Sequence, residues 1–251
     1  RVLAFFGIPA GIVAWLLGIP YAISLCGSDV PGHNPNFALV HRWTGWLLRR
    51  AWQGAIAMIS PGRQMIETAR HTAPNLTYTF IPNGIDANLF FPVAEKIMQT
   101  RALRYLFVGR LNSVKGIENL VTGFLRFHNA YPDCHLTIIG DGPLRSKILA
   151  MIKDQVNIHW QAQLSHEALA EEYRRNDIYV LPSHNEGMSN TLLEAMASGL
   201  VVISSPVGDA QNLVGNNGVI LADNGPEQIE NAMRKLSTHA SGELLQMGLE
   251  N

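Results

Sequence analysis

Tyr105-Leu106-Phe107-Val108-Gly109-Arg110-Leu111-Asn112-Ser113-Val114-Lys115-Gly116 is an apolar run of strand length that stops at a glycine, carries two cations, and passes into a helical period over 116–128. The same unit recurs downstream. HLTIIG (135–140), VNIHW (156–160), DIYVLPS (177–183), LVVISS (200–205) and GVILA (218–222) are further apolar runs. They are rich in Val, Ile and Leu without polar alternation, as strands covered on both faces should be. Between and after them, helical spacing falls at Gly116–His128, Leu144–Lys153, His166–Arg175, Thr191–Ala197, Asp209–Val214 and Pro226–Leu236. This rhythm predicts an α/β fold with a doubly wound parallel sheet and right-handed crossovers. Such sheets take ligands at the carboxyl ends of their strands.

Upstream the pattern thins. The run from Val2 to Val30 holds a single charge, Asp29, long enough to raise a membrane span. Pro9, Pro20, Gly7, Gly11 and Gly18 divide it into a short helix near Ala10–Leu17 and a strand near Tyr21–Leu25, each too short to cross a bilayer. A loop at 27–32, an aromatic and basic helix near Arg42–Gln53, a strand near Ala55–Ile59, a helix near Arg63–Arg70 and the strand TYTFIP follow. This is too little to close a Rossmann sheet with its own core. Residues 1–92 are therefore expected to be the later part of a first domain, with Phe91-Pro92-Val93-Ala94 as linker and 93–251 as a complete second domain. The opening on Arg1 reads as a chain cut from something longer.

Composition narrows the class. With 47% hydrophobic and 16% charged residues the chain is globular, and a formal net charge of -1 gives no field to gather nucleic acid. The first 92 residues carry six basic and three acidic groups of the chain's 19 and 20, so the front is mildly basic. Cys26 and Cys134 fall in different layers, so no disulfide framework is expected, and a reducing, cytoplasmic setting fits.

Three loops carry chemistry. In the first, Gly109 lets backbone approach a ligand while Arg110 and Lys115 flank the next helix start, an arrangement suited to an anion; two solvated cations would look the same. Gly140-Asp141-Gly142-Pro143 allows the same approach or makes a plain capped turn. The third, Pro182 to Met196, is the strongest. Glu186 leaves a strand, Gly187, Met188, Ser189 and Asn190 bring backbone N–H groups to a helix start, and Glu194 sits one turn inside. The small neighbours Ala195, Ala197, Ser198 and Gly199 turn Glu194 inward, and an inward carboxylate needs partners. A diphosphate would occupy the N–H groups, with hydroxyls on the two carboxylates. No Asp-x-Asp pair, Cys/His cluster, nucleophile elbow, P-loop or dinucleotide fingerprint is present, so cations must replace a metal and neither ATP hydrolysis nor hydride transfer is expected.

In its ordered set of loops the chain resembles glycosyltransferase family 4, retaining enzymes of the GT-B fold. Ile81-Pro82-Asn83-Gly84-Ile85-Asp86 with Phe91-Pro92 resembles the family's interdomain strand and turn. Gly109-Arg110-Leu111 with Lys115-Gly116, then Gly140-Asp141-Gly142-Pro143, then Glu186 and Glu194 with seven residues between them, follow in family order. The resemblance implies a UDP- or GDP-sugar donor, no metal, and retention of anomeric configuration by a hexosyltransferase. Arg110 and Lys115 would neutralise the diphosphate, Glu186 would contact the donor sugar, and the amides of Gly187 to Asn190 its hydroxyls and phosphate. Glu194 would take the ribose, while Gln163 and Leu164, within Gln161–Leu164, would border the base. Cys26 stands where the family often has Arg or His. The implied acceptor is a saccharide or lipid-linked hydroxyl in surface polysaccharide or glycolipid assembly.

Two other functions fit this fold. A nucleotide-sugar epimerase would need acid and base groups from the first domain, where His33 and His41 are the candidates. A non-catalytic nucleotide-sugar-binding module would need only the second domain. The helix with Trp43, Trp46 and Trp52 beside Arg42, Arg49 and Arg50 fits either a peripheral contact with the inner membrane face or packing against preceding strands.

Overall fold

The computed structural model describes residues 1–93, 102–215, 217–239 and 241–249. The chain divides into two compact units. The first is Arg1–Asn83 with Glu186–Met188, and the second is Gly84–Asn185 with Ser189–Asn251.

The first unit is a four-stranded parallel sheet in the order β1-β2-β3-β4, formed by Val2–Phe5, Tyr21–Ser24, Ala57–Ser60 and Tyr78–Phe80. Its helices are α1 (Ile12–Leu16), α2 (Ala38–Gln53) and α3 (Arg63–Thr72). Strand β1 was not expected from the sequence, nor was a core of the unit's own. Ile23, Leu25, Leu48, Trp52, Met58 and Met65 are buried together, so this part of the chain does form a core around its sheet. Trp52 belongs to that core and not to an exposed face of α2; Trp43 and Trp46 are the exposed tryptophans, 78% and 65% accessible. The side chain of Asp29 is buried and ties the loop after β2 by accepting the N–H groups of Gly7 at 2.7 Å and Cys26 at 2.9 Å.

The second unit is the expected α/β layer structure. Strands β5 (Arg104–Val108), β6 (His135–Ile139), β7 (Ile158–Gln161), β8 (Ile178–Leu181), β9 (Val201–Ser204) and β10 (Gly218–Ile220) are all parallel, in the order β10-β9-β8-β5-β6-β7. Helices α4 (Ile117–His128), α5 (Arg145–Ile152), α9 (Pro226–Ser237) and α10 (Ser241–Leu249) cover one face. Helices α6 (His166–Arg175), α7 (Asn190–Ala197) and α8 (Ala210–Val214) cover the other. The chain reverses its direction of strand addition between β5 and β8, and a crevice opens at the carboxyl ends beside such a reversal.

The division between units falls after Asn83 instead of at 92/93. Aromatic packing explains the shift: Phe90 is buried in the second unit's core, edge-on to Tyr173 at 5.7 Å, and the Arg174 guanidinium lies 4.8 Å over Phe91. The expected linker runs out of the described residues at Ala94. The first halves of β6 and β7 also depart from full coverage, since His135 and Thr137 are partly exposed and His159 is exposed. Among the described residues, no helix is long and apolar enough to cross a membrane.

Candidate functional site

The carboxyl ends of β5 and β6 are joined edge to edge by backbone. Gly109 N–H donates to Ile139 O at 3.0 Å, Leu111 N–H to Asp141 O at 2.9 Å, and Leu144 N–H to Leu111 O at 2.9 Å. Gly140 sits at φ 137°, and a Cβ there would collide with the Gly109 carbonyl, so only glycine lets the two loops meet. Arg145 holds this turn from outside. Its guanidinium bonds Asp141 at 3.2 Å and lies 4.6 Å over the Trp160 ring, whose N–H donates to Gly140 O at 3.0 Å.

Beyond the joined loops lies a cavity of about 420 Å³. It brings together Gly109, Arg110, Gly140, Asp141, Gln163 and Leu164. These six expected residues come from three loops widely separated in sequence. Val108, Ile139 and Leu169 add apolar walls, and His166 was not expected there. His166 opens α6 just after Ser165, whose Oγ caps the helix by accepting Ala168 N–H at 3.3 Å. That Ser-His helix start was the available signal.

Lys115 lies in the loop after β5, closing a short helical turn at Ser113–Lys115 that Asn112 caps through its side chain at 3.0 Å. Gly116 follows at φ 64°, where a Cβ would collide with the Pro182 carbonyl. The loops leaving β5 and β8 are thereby pressed together, and His184 N–H donates to Val114 O at 2.7 Å. Helix α7 starts from this second loop. Ser189 caps it, accepting Leu192 N–H at 3.4 Å, and Asn190 is its first residue. Lys115, Gly142, Ser189, Asn190 and Glu194 thus stand in the same unit as the cavity without lining it. Glu186, Gly187 and Met188 are partly buried and group with the first unit.

Glu194 is turned inward as its small neighbours predicted. Its carboxylate accepts the Tyr173 hydroxyl at 3.0 Å. The same hydroxyl lies 3.2 Å from Thr191 O, and Tyr179 donates to Thr191 Oγ1 at 2.7 Å, so two buried tyrosines brace the first turn of α7. Burial pushes the Glu194 carboxyl up from the ordinary carboxylate range, against the Tyr173 bond and nearby His166, which pull it down. Burial likewise raises the Tyr173 hydroxyl well above its usual value, with Tyr179 and Glu194 adding to it. Tyr173 was missed in the sequence because its role depends on a partner 21 residues away.

The arrangement can hold a flat ring against apolar walls, hydrogen-bond hydroxyls on a carboxylate, and set cations beside backbone-lined loops. The family model described as Glycosyl transferases group 1 matches residues 102–239. The glycogen synthase of Mycobacterium tuberculosis is 30% identical over 229 residues, covering 85% of this chain and 53% of that protein. A GDP-mannose-dependent alpha-mannosyltransferase of Mycolicibacterium smegmatis is 29% identical over 247 residues, 93% of this chain and 61% of that protein. The chain thus spans little more than half the length of these curated relatives. Anabaena Alr3699/HepE, solved in complex with UDP and glucose, superposes on 98% of this chain and 71% of its own with a TM-score of 0.81 at 15% identity. That likeness is one of fold, and it is the GT-B type expected from the sequence.

Proposed function

Because this chain belongs to the group 1 glycosyl transferases, we propose that it serves the transfer of a hexosyl group from a UDP- or GDP-sugar to a saccharide or lipid-linked hydroxyl. The observation that carries this reading is the cavity at the carboxyl ends of β5, β6 and β7, where Gly109, Arg110, Gly140, Asp141, Gln163 and Leu164 meet with His166. The base would lie against Gln163 and Leu164, with the ribose hydroxyls on Glu194. Arg110 and Lys115 would stabilise the diphosphate as it takes the electron pair of the breaking C1–O bond. The resemblance to family 4 supports retention without a metal. The acceptor oxygen then forms its bond to C1 on the face the diphosphate leaves, and its proton passes to a departing phosphate oxygen. Glu186 would hold the sugar's hydroxyls, with the amides of Gly187 to Asn190 on hydroxyls and phosphate.

Titration calorimetry with UDP-sugars and GDP-sugars tests the donor, and absence of heat at millimolar ligand sinks it. Transfer that stops with chelator, or that inverts the anomeric proton signal, would remove the metal-free retaining mechanism. A role in surface polysaccharide or glycolipid assembly on the cytoplasmic membrane face is supported by α2, which exposes Leu39, Trp43 and Trp46 with Arg42 and Arg49. Trp43→Ala with Trp46→Ala should abolish co-sedimentation with anionic vesicles; sedimentation indifferent to both changes excludes that contact.

A further inference from the structure

A second cavity, of about 260 Å³, opens at the amino ends of the strands whose carboxyl ends build the first. Arg104 stands at the first position of β5, His135 at the first of β6, and His159 at the second of β7. The register sets Thr137 opposite His159, so His135, Thr137 and His159 share one face of the sheet. The two imidazoles stack there with centroids 6.0 Å apart and planes 15° apart. Glu172 and Arg175 of α6, with Asn176 just after it, complete the wall. Among the described residues Glu172 is the lining carboxylate, and it already accepts the Arg175 guanidinium at 3.0 Å.

Two guanidiniums and two imidazoles therefore converge on a space with a single, committed carboxylate. Protonation of the imidazoles would add to the repulsion. Burial holds His135 below the ordinary histidine range, and His159, Arg104 and His128 push it lower while Asp133 pulls it up. The groups facing it are these four together with Glu172 and Arg175 from α6. An anion among them would reverse the balance. Phosphate matches the set best, because guanidinium forks bond its oxygens in pairs and the Thr137 hydroxyl can donate to another.

We propose that this cavity binds a phosphate group, free or as a small monoester, through Arg104, Arg175, His135 and His159. The site is separate from the donor cavity and stands whether or not the chain transfers sugars. The test is a titration of the whole chain with inorganic phosphate, read by the ring-proton magnetic resonance signals of His135 and His159, with glycerol phosphate and acetate in parallel. Both signals should move saturably with phosphate and not with acetate. Arg104→Gln with Arg175→Gln should weaken binding about tenfold or more, the scale of losing charge-assisted bonds. His159→Gln, at an exposed position, should weaken it independently of any effect of the arginine changes on folding. Arg110→Ala with Lys115→Ala should leave these two signals and their saturation unchanged. Tighter binding of glycerol phosphate assigns the site to monoesters, and equal or weaker binding assigns it to free phosphate. No saturable movement, an equal response to acetate, indifference to both the arginine pair and His159→Gln, or loss through Arg110 and Lys115 alone would each overturn the proposal.

Discussion

The two ends of β5, β6 and β7 use the same strands in opposite ways. At the carboxyl ends the position of the cavity is set by backbone: Gly109 and Gly140 bring loops into contact, and apolar and polar side chains line the space around them. At the amino ends it is made by side chains standing on regular strand positions, with Arg104, His135 and His159 projecting from an otherwise ordinary sheet. A site built of backbone geometry cannot lose a residue without deforming. One built of side chains on strands can lose its chemistry and keep its shape.

The largest expected effect tests that contrast. Gly116→Ala forces a side chain into φ 64° and onto the Pro182 carbonyl. Left-handed strain and overpacking together should cost about 2–4 kcal/mol in urea unfolding. His159→Gln at the other end should stay within about 0.5 kcal/mol, as exposed substitutions do. Equal losses at the two ends would break the comparison. Next in size, Arg110→Ala and Lys115→Ala should each weaken UDP or GDP binding by about 1.5–3 kcal/mol, the worth of a hydrogen bond to a charged group. Arg104→Gln should leave that affinity unchanged in calorimetry. Affinity unchanged in both loop variants would remove the diphosphate from that loop.

The same contrast explains what could be read from the sequence. Strands β5, β6, β8, β9 and β10 were legible because each is an apolar run rich in Val, Ile and Leu, and the helix α6 was expected at the bounds it has. The glycine loops were legible because such residues at strand ends have few other uses. Strand β1 was not, since Val2, Leu3 and Phe5 are all exposed and show no alternation to mark a face. In α2 the information was present and undervalued. His41, Leu48 and Trp52 fall on one helical face and Leu39, Trp43 and Trp46 on another, so periodicity separates the buried tryptophan from the exposed pair. His135 and Thr137 in HLTIIG likewise alternate with buried Leu136 and Ile138, a sign of one open face inside an apolar run. The Tyr173 bond to Glu194 was beyond reach, because it needs α6 and α7 side by side.

That bond gives the sharpest opposition between the ends. Tyr173→Phe removes the hydroxyl that Glu194 accepts at 3.0 Å, and should cost about 1.5–3 kcal/mol at neutral pH, as loss of a bond to a charged acceptor does. The pH dependence has a definite sign. Glu194 is raised by burial, so its native form holds a proton that the unfolded chain gives up. Its contribution is greatest below the ordinary carboxylate value and declines as pH rises through the raised one. His135 is lowered by burial and by the cations around it, so the unfolded chain binds a proton that the native form refuses. Its contribution is complete above the ordinary histidine value and declines as pH falls through the lowered one. Tyr173→Phe, by removing a bond that holds the carboxyl down, should extend the Glu194 decline to higher pH, while Glu194→Gln should abolish it and leave the histidine limb in place. His135→Gln should do the reverse. Stability measured against pH in the three variants separates the ends, and a Glu194→Gln profile parallel to that of the unsubstituted chain would show that the inward carboxylate is not held as the Tyr173 contact requires.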